Sequence, residues 1–110
     1  MAQACRVMGC PAKVPADFGE VRMCVFHFTL FIDEECAEIR RETARGQISH
    51  SRRLEFIDKM TRNGELLGRV VTDGSPKTDE LKTRIVSTVL TLMNCRENMD
   101  RAALRYSAPV

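Results

Sequence analysis

The sequence predicts a mostly α-helical protein with a small metal-binding knuckle at its N-terminus. Apolar residues recur at spacings of three and four over most of the chain beyond residue 22. The residues before that point are rich in turn formers and show no helical period, and three cysteines and a histidine fall in two close pairs there and just beyond. At 110 residues the chain is long enough for one core but too short for two. We therefore expect one domain, residues 1–110, in which a knuckle at residues 1–27 leads into a small bundle of about three helices.

The two close pairs are Cys-x4-Cys and, after thirteen residues, Cys-x2-His. Zinc prefers four such ligands in a tetrahedron. A glycine and a proline flank the second cysteine and suit a tight turn around a metal, and the last two ligands project from one face of a first helical turn. The alternative is that these are ordinary small residues and a helix-face histidine, but so turn-rich a segment is hard to fold without metal. The predicted ligands of one structural zinc ion per chain are Cys5, Cys10, Cys24 and His27.

The stretches Cys-Arg-Val-Met-Gly-Cys-Pro and Arg-Met-Cys-Val-Phe-His-Phe resemble treble-clef zinc fingers of the Cys-x4-Cys and Cys-x2-His type. Such fingers occur in short bacterial and phage proteins and beside some homing-type endonuclease domains. The resemblance covers residues 5–31 and implies a zinc site. In members that bind nucleic acid, the helix after the histidine is rich in basic and aromatic residues. Here residues 28–35 are apolar and then acidic, which argues against DNA contact by this helix.

Helix one is predicted over residues 22–46, where Gly46 is a natural stop. Its first two turns are apolar nearly all round, so we expect other elements to cover them on several sides. The acidic run Asp33, Glu34, Glu35 and Glu38 is interpreted as a solvated face. The stripe expected to face the core is Phe28, Ile32, Cys36, Ile39 and Thr43.

Helix two is predicted over residues 49–72, with Ser49 or Ser51 as its N-cap and a possible break at Asn63-Gly64. Its expected core stripe is Leu54, Ile57, Met60 or Thr61, Gly64, Leu67 and Val71.

Helix three is predicted over residues 76–106, with Ser75 and Pro76 as a cap and first-turn pair. A helix this long beside so short a chain often packs on a second copy, so we expect a homodimer or another protein partner. Its expected core stripe is Leu81, Ile85, Val89, Leu92, Cys95 or Arg96, Met99, Ala103 and Tyr106.

Composition narrows the classes of function. A net charge of +2, from 17 basic and 15 acidic residues, favours neither nucleic acid nor an anionic membrane. The longest apolar stretch is too short for a membrane span, and the N-terminus lacks the pattern of a secretory signal, so we expect a cytoplasmic protein. In that reducing compartment, cysteines are ligands or core residues more often than disulfides. Cys36 and Cys95 are interpreted as core residues, with a redox pair as the alternative.

No enzyme is predicted. A metal with four protein ligands has no open position for water, and neither a Ser/His/Asp set nor a phosphate-binding loop can be assembled from the sequence. We expect no small-molecule substrate. The favoured function is a zinc-stabilised regulatory or adaptor subunit that acts by protein contact.

The alternative function is nucleic-acid binding through basic residues at one corner. The competing interpretation, which we favour, is that these arginines offset a helix dipole or pair with Glu42 and Glu55. The corner, termed the arginine corner, comprises Arg40, Arg41, Arg45, Arg52 and Arg53.

Overall fold

The computed structural model describes residues 4–46, 48–73 and 78–107, and most of these lie in three helices: α1 (Val25–Ala44), α2 (His50–Asp73) and α3 (Asp79–Ser107). A single 3-10 turn, Ala16–Phe18, precedes them. The predicted mostly helical fold with an N-terminal knuckle is confirmed. Within the described residues there is no strand, only an isolated antiparallel bridge near the N-terminus. No helix in that part of the chain is long and apolar enough to cross a membrane.

The three helices run up, down and up. Arg84 of α3 contacts Asp33 of α1, and Cys95 lies beside Cys36 eleven residues further along α3, so α1 and α3 are parallel. The second helix runs the other way, because Arg52 near its start pairs with Glu42 near the end of α1. The molecule measures 57 × 24 × 19 Å, and its long axis exceeds the roughly 43 Å of a straight 29-residue helix.

The first helix begins three residues later than predicted because Cys24 is its N-cap and its sulfur accepts a hydrogen bond from the His27 backbone N–H. It ends at Ala44, and Gly46 follows with φ +145°, a conformation that favours glycine. The possible break in α2 does not occur. Asn63 is buried there and donates a hydrogen bond to Glu35 at 3.3 Å.

Helix three is first described at Asp79, and the Thr78 hydroxyl accepts a hydrogen bond from the Leu81 backbone N–H at 3.1 Å. The Thr78 side chain therefore caps the start of α3. The predicted Ser75-Pro76 start and the side chains of Ala103 and Tyr106 lie outside the described residues.

Core prediction is confirmed for α1 and needs correction for α2. Phe28, Ile32, Cys36 and Ile39 are buried as expected, and Thr43 is half-buried. The predicted α2 residues Leu54 and Val71 are instead 50% and 54% exposed. The buried face of α2 is rotated by about one residue, which places the bulky Phe56 inside. Its members are Phe56, Met60, Asn63, Leu67 and Val70.

A polar cluster between α1 and α3 corrects two further predictions. Thr88 takes a core position where Val89 was expected, and its hydroxyl donates to an Asp33 carboxylate oxygen at 3.2 Å. Arg84 donates to the other oxygen of Asp33 at 3.0 Å and to the Thr29 hydroxyl at 2.8 Å. Asp33 is therefore half-buried and paired rather than solvated. Val89 is turned outward, 37% exposed.

Replacing Ser49 by Ala is expected to destabilise the protein by about 1 kcal/mol, because its hydroxyl oxygen accepts the Arg52 backbone N–H at 3.2 Å and so caps α2. The control is Ser51→Ala, an exposed position inside the same helix, which should change the free energy of unfolding by less than about 0.5 kcal/mol. Urea unfolding followed by circular dichroism measures both changes. Equal losses in the two variants would contradict the assignment of Ser49 as the cap.

Candidate metal centre

The first pair of predicted ligands is held by a closed turn. Ala4 and Lys13 form the antiparallel bridge, and the Cys5 backbone N–H donates to the Ala12 carbonyl at 3.1 Å. Inside this loop, Gly9 has φ +80°. The Cys10 backbone N–H donates to the Val7 carbonyl at 3.1 Å. The positive φ is one that glycine adopts without steric cost, so the glycine before the second cysteine permits the tight turn.

The second pair is held by the start of α1. Cys24 is the N-cap residue and His27 lies in the first turn, so both project from the same end of the helix. A backbone hydrogen bond of 2.7 Å from Arg6 to the Arg22 carbonyl ties the first pair to the segment that precedes α1. Arg22 itself has φ +58°, which is uncommon for a residue other than glycine. The two pairs therefore meet because a bridge, a turn and a helix start are joined by backbone hydrogen bonds.

The four predicted ligands form a compact group. The His27 Nδ1 atom lies 3.4 Å from the Cys5 sulfur and 3.3 Å from the Cys24 sulfur, and the Cys10 and Cys24 sulfurs are 3.9 Å apart. All four ligand atoms lie within 4.8 Å of one another. In an ideal zinc tetrahedron, sulfur atoms are about 3.8 Å apart and sulfur and nitrogen about 3.6 Å apart, given the usual bond lengths. The group can therefore hold a metal ion, and its donor set and dimensions suit zinc.

The thiols of the cluster differ in how readily they ionise. Burial raises the pKa of Cys5, but hydrogen bonds from the backbone N–H groups of Cys24 and Val7, together with His27, outweigh burial and lower that pKa to about 6. For Cys24, burial and the adjacent cysteine sulfurs outweigh the hydrogen bond from the His27 backbone and raise the pKa to about 11. A cation among these sulfurs favours their thiolate forms, which are the forms that bind metal.

Apolar residues of the knuckle pack it, with its four potential ligands, against the helices. Val14, Phe18 and Met23 are buried, and the Phe18 ring meets the Phe28 ring edge to face with centroids 4.8 Å apart. These three residues were not assigned to the core from the sequence. Single apolar residues between turn formers carry no periodic signal, although a phenylalanine in such a segment indicates a possible anchor.

The arginine corner does not form a continuous basic surface. Arg52 pairs with Glu42 at 3.1 Å and Glu55 at 2.8 Å, as the favoured interpretation expected. Arg53 pairs instead with Asp100 of α3 at 2.8 Å. The hydrogen bond that Arg52 donates to Glu42 is the main reason why the pKa of Glu42 lies below its ordinary value. Two of the five guanidinium groups of the arginine corner are therefore paired with carboxylates.

The other three arginines of the corner are exposed. Arg40 lies apart from the ion pairs, beside an open cleft of about 640 Å³ that Asn98 and Arg101 also line. Arg41 and Arg45 lie at the C-terminal end of α1, where positive charge offsets the helix dipole.

Cys36 and Cys95 lie in the core, each only 1% exposed, and the Cys95 thiol donates to the Cys36 carbonyl at 3.8 Å. A separate hydrogen bond between the two thiols, together with burial, raises the pKa of Cys36, and the same thiol–thiol bond lowers the pKa of Cys95. A buried cysteine packs as a small apolar side chain. Both cysteines thus occupy core positions, as expected.

Comparison of the chain with protein-family models, with curated proteins and with solved structures finds no match. The group of four potential metal ligands and the helical fold are therefore the two features that bear on function.

Proposed function

We propose that this protein is a regulatory or adaptor subunit, folded around one structural zinc ion, that acts by contact with another protein chain. The observation that carries the proposal is the clustering of Cys5, Cys10, Cys24 and His27 within 4.8 Å. Four protein ligands complete the tetrahedron that zinc prefers in structural sites, whereas catalytic sites keep one position for water or substrate. The proposed zinc is structural, and the proposed activity is binding rather than catalysis.

The position of the cluster supports a structural role. Cys24 and His27 form the N-cap and first turn of α1, and Cys5 and Cys10 belong to the loop that the bridge closes. A metal bound by all four residues would hold the knuckle against the helix start. The knuckle in turn supplies Phe18 to the core beside Phe28. Metal binding would therefore contribute directly to the free energy of folding.

Nucleic-acid binding is not favoured as a second function. The helix after the histidine carries Asp33, Glu34 and Glu35, and Asp33 is engaged with Arg84. At the arginine corner, Arg52 and Arg53 are paired with carboxylates, and the corner lacks the interleaved aromatics that stack on bases.

Native mass spectrometry of the purified full chain tests the proposal, because it reads metal content directly. We expect one zinc ion per chain. A protein that stays folded without any metal would contradict the structural role. Cobalt(II) substitution then distinguishes a closed from an open site. A closed site should give the visible bands of tetrahedral thiolate and imidazole coordination, unchanged by added azide. An azide-dependent shift would indicate an exchangeable position and favour an enzyme.

A further inference from the structure

The outer face of α3 carries an exposed apolar row. Val86, Leu90 and Met93 are 60%, 54% and 62% exposed, and Val89 beside them is 37% exposed. These four residues, termed the α3 row, share one side of the helix because their spacings are three, one and three. Between Arg84 and Arg96 the helix contains no charged residue. Depletion of charged residues around apolar side chains is typical of the centre of a protein interface.

Packing among the residues that the structure describes does not account for this row. The opposite side of α3 buries Ile85, Thr88, Leu92 and Cys95 in the core that it shares with the other helices. A helix that is apolar on a second side requires a second covering surface, because a solvated face normally carries charged side chains.

The residues of this face are arranged symmetrically about the midpoint between Val89 and Leu90. Val86 lies three positions before Val89, and Met93 lies three positions after Leu90. Lys82 lies seven positions before Val89, and Glu97 seven positions after Leu90. If two such helices pack antiparallel, each apolar residue meets an apolar residue and each Lys82 meets a Glu97, which also pairs with Arg101 of its own helix. A two-fold interface between identical chains requires this kind of self-complementarity, which contact with an unrelated protein would not.

Charges one turn further out agree with the same pairing. Antiparallel packing places Asp79 opposite Asp100 of the second copy. Asp100 is already bound by Arg53 at 2.8 Å and by Arg96 at 3.2 Å. The three side chains together carry a net positive charge. The acidic residue at the start of one helix therefore meets a basic cluster near the end of the other, which favours the antiparallel orientation.

We propose that the α3 row is the contact between two copies of this chain, with their third helices antiparallel about a two-fold axis near Val89 and Leu90. The inference rests on the proposed function and deepens it, because it names the partner as a second copy and the surface as α3.

Sedimentation equilibrium of the full chain, with the metal content measured in parallel, tests the interface. Met93→Glu should weaken dimerisation by about 100-fold or more, because the two-fold axis buries the new carboxylate twice in an apolar contact. Leu54→Glu is the matched control: Leu54 is 50% exposed on α2, outside the loop that carries predicted ligands, and the variant should dimerise like the wild type. A monomeric wild type, or a Met93→Glu variant that dimerises normally, would overturn the inference. Circular dichroism checks that both variants fold.

Charge reversal tests the orientation. Lys82→Glu and Glu97→Lys should each weaken the dimer by about threefold to tenfold, because each creates two like-charge contacts across the axis. The double variant restores opposite charges and should recover most of the wild-type affinity. A double variant weaker than either single variant would overturn the antiparallel pairing. A zinc-containing monomer would remove this interface yet leave the structural zinc in place, whereas a metal-free dimer would remove the proposed zinc and retain the interface.

Discussion

Replacing His27 by Ala is expected to unfold the N-terminal segment and to abolish the proposed zinc binding. The imidazole Nδ1 lies between the sulfurs of Cys5 and Cys24, at 3.4 and 3.3 Å, so its loss opens the coordination shell on the side of the helix. Structural zinc contributes about 10–16 kcal/mol of apparent binding free energy in small zinc-finger peptides. Loss of one of four ligands should therefore lower the free energy of unfolding by more than about 3 kcal/mol, an effect that a single surface substitution rarely reaches.

His50→Ala provides the matched control for this experiment. His50 is the other histidine of the chain, and it is exposed at the first residue of α2. This variant should bind one metal ion per chain and change the free energy of unfolding by less than about 0.5 kcal/mol. Metal content and thermal unfolding are measured on both variants and the wild type. An unchanged melting temperature in His27→Ala would contradict the structural role, whatever the metal content of the wild type.

The clustering of the four predicted ligands was predictable because its determinants are local in the sequence. Cys5 and Cys10 are close enough to share one turn, and Cys24 and His27 are close enough to share one helical turn. For the two pairs to meet, the segment between them only has to fold back. The sequence does not reveal the hydrogen bonds that hold this return, such as that from Arg6 to the Arg22 carbonyl, because they form between backbone groups of any residue type.

The burial of α2 was predicted less well because its sequence offers two overlapping stripes, which share Met60 and Leu67. One stripe includes Leu54 and Val71, and the other includes Phe56 and Val70. Local periodicity cannot choose between them, since both have helical spacing. The choice depends on what α2 packs against. Phe56 is covered on one side by the Arg52 guanidinium, 4.5 Å from the ring centroid, an arrangement set by the pairing of Arg52 with α1.

The outward position of Val89 has a similar cause. Hydrophobicity ranks valine above threonine for a core position, yet Thr88 is the buried residue, because Asp33 accepts its hydroxyl hydrogen bond. Asp33 lies 55 residues away in the sequence, so no local pattern contains this information. Because Thr88 takes the buried position, Val89 lies on the outer face, where it completes the α3 row.

Phe28→Ala is expected to destabilise the protein by about 3–5 kcal/mol, the usual cost of removing a fully buried phenylalanine. The ring is 0% exposed, meets Phe18 edge to face, and stacks on Phe31 with centroids 6.3 Å apart. It follows the ligand His27 directly, so the cavity would open between the metal cluster and the helical core. The wild type and the variant carry the same four ligands, and any difference in unfolding reports packing rather than coordination.

Phe26→Ala is the control for Phe28→Ala, because it removes the same side chain from the other side of His27. Phe26 is 46% exposed, and its ring meets the His27 ring edge to face at 5.3 Å and the Arg84 guanidinium in a cation–π contact, also at 5.3 Å. Loss of these contacts should cost about 1 kcal/mol. Urea unfolding of both variants measures the two losses. A loss in Phe28→Ala several times that in Phe26→Ala is expected because only Phe28 is fully buried and packs on Phe18. Equal losses in the two variants would contradict the packing of the Phe28 ring between the knuckle and the helices.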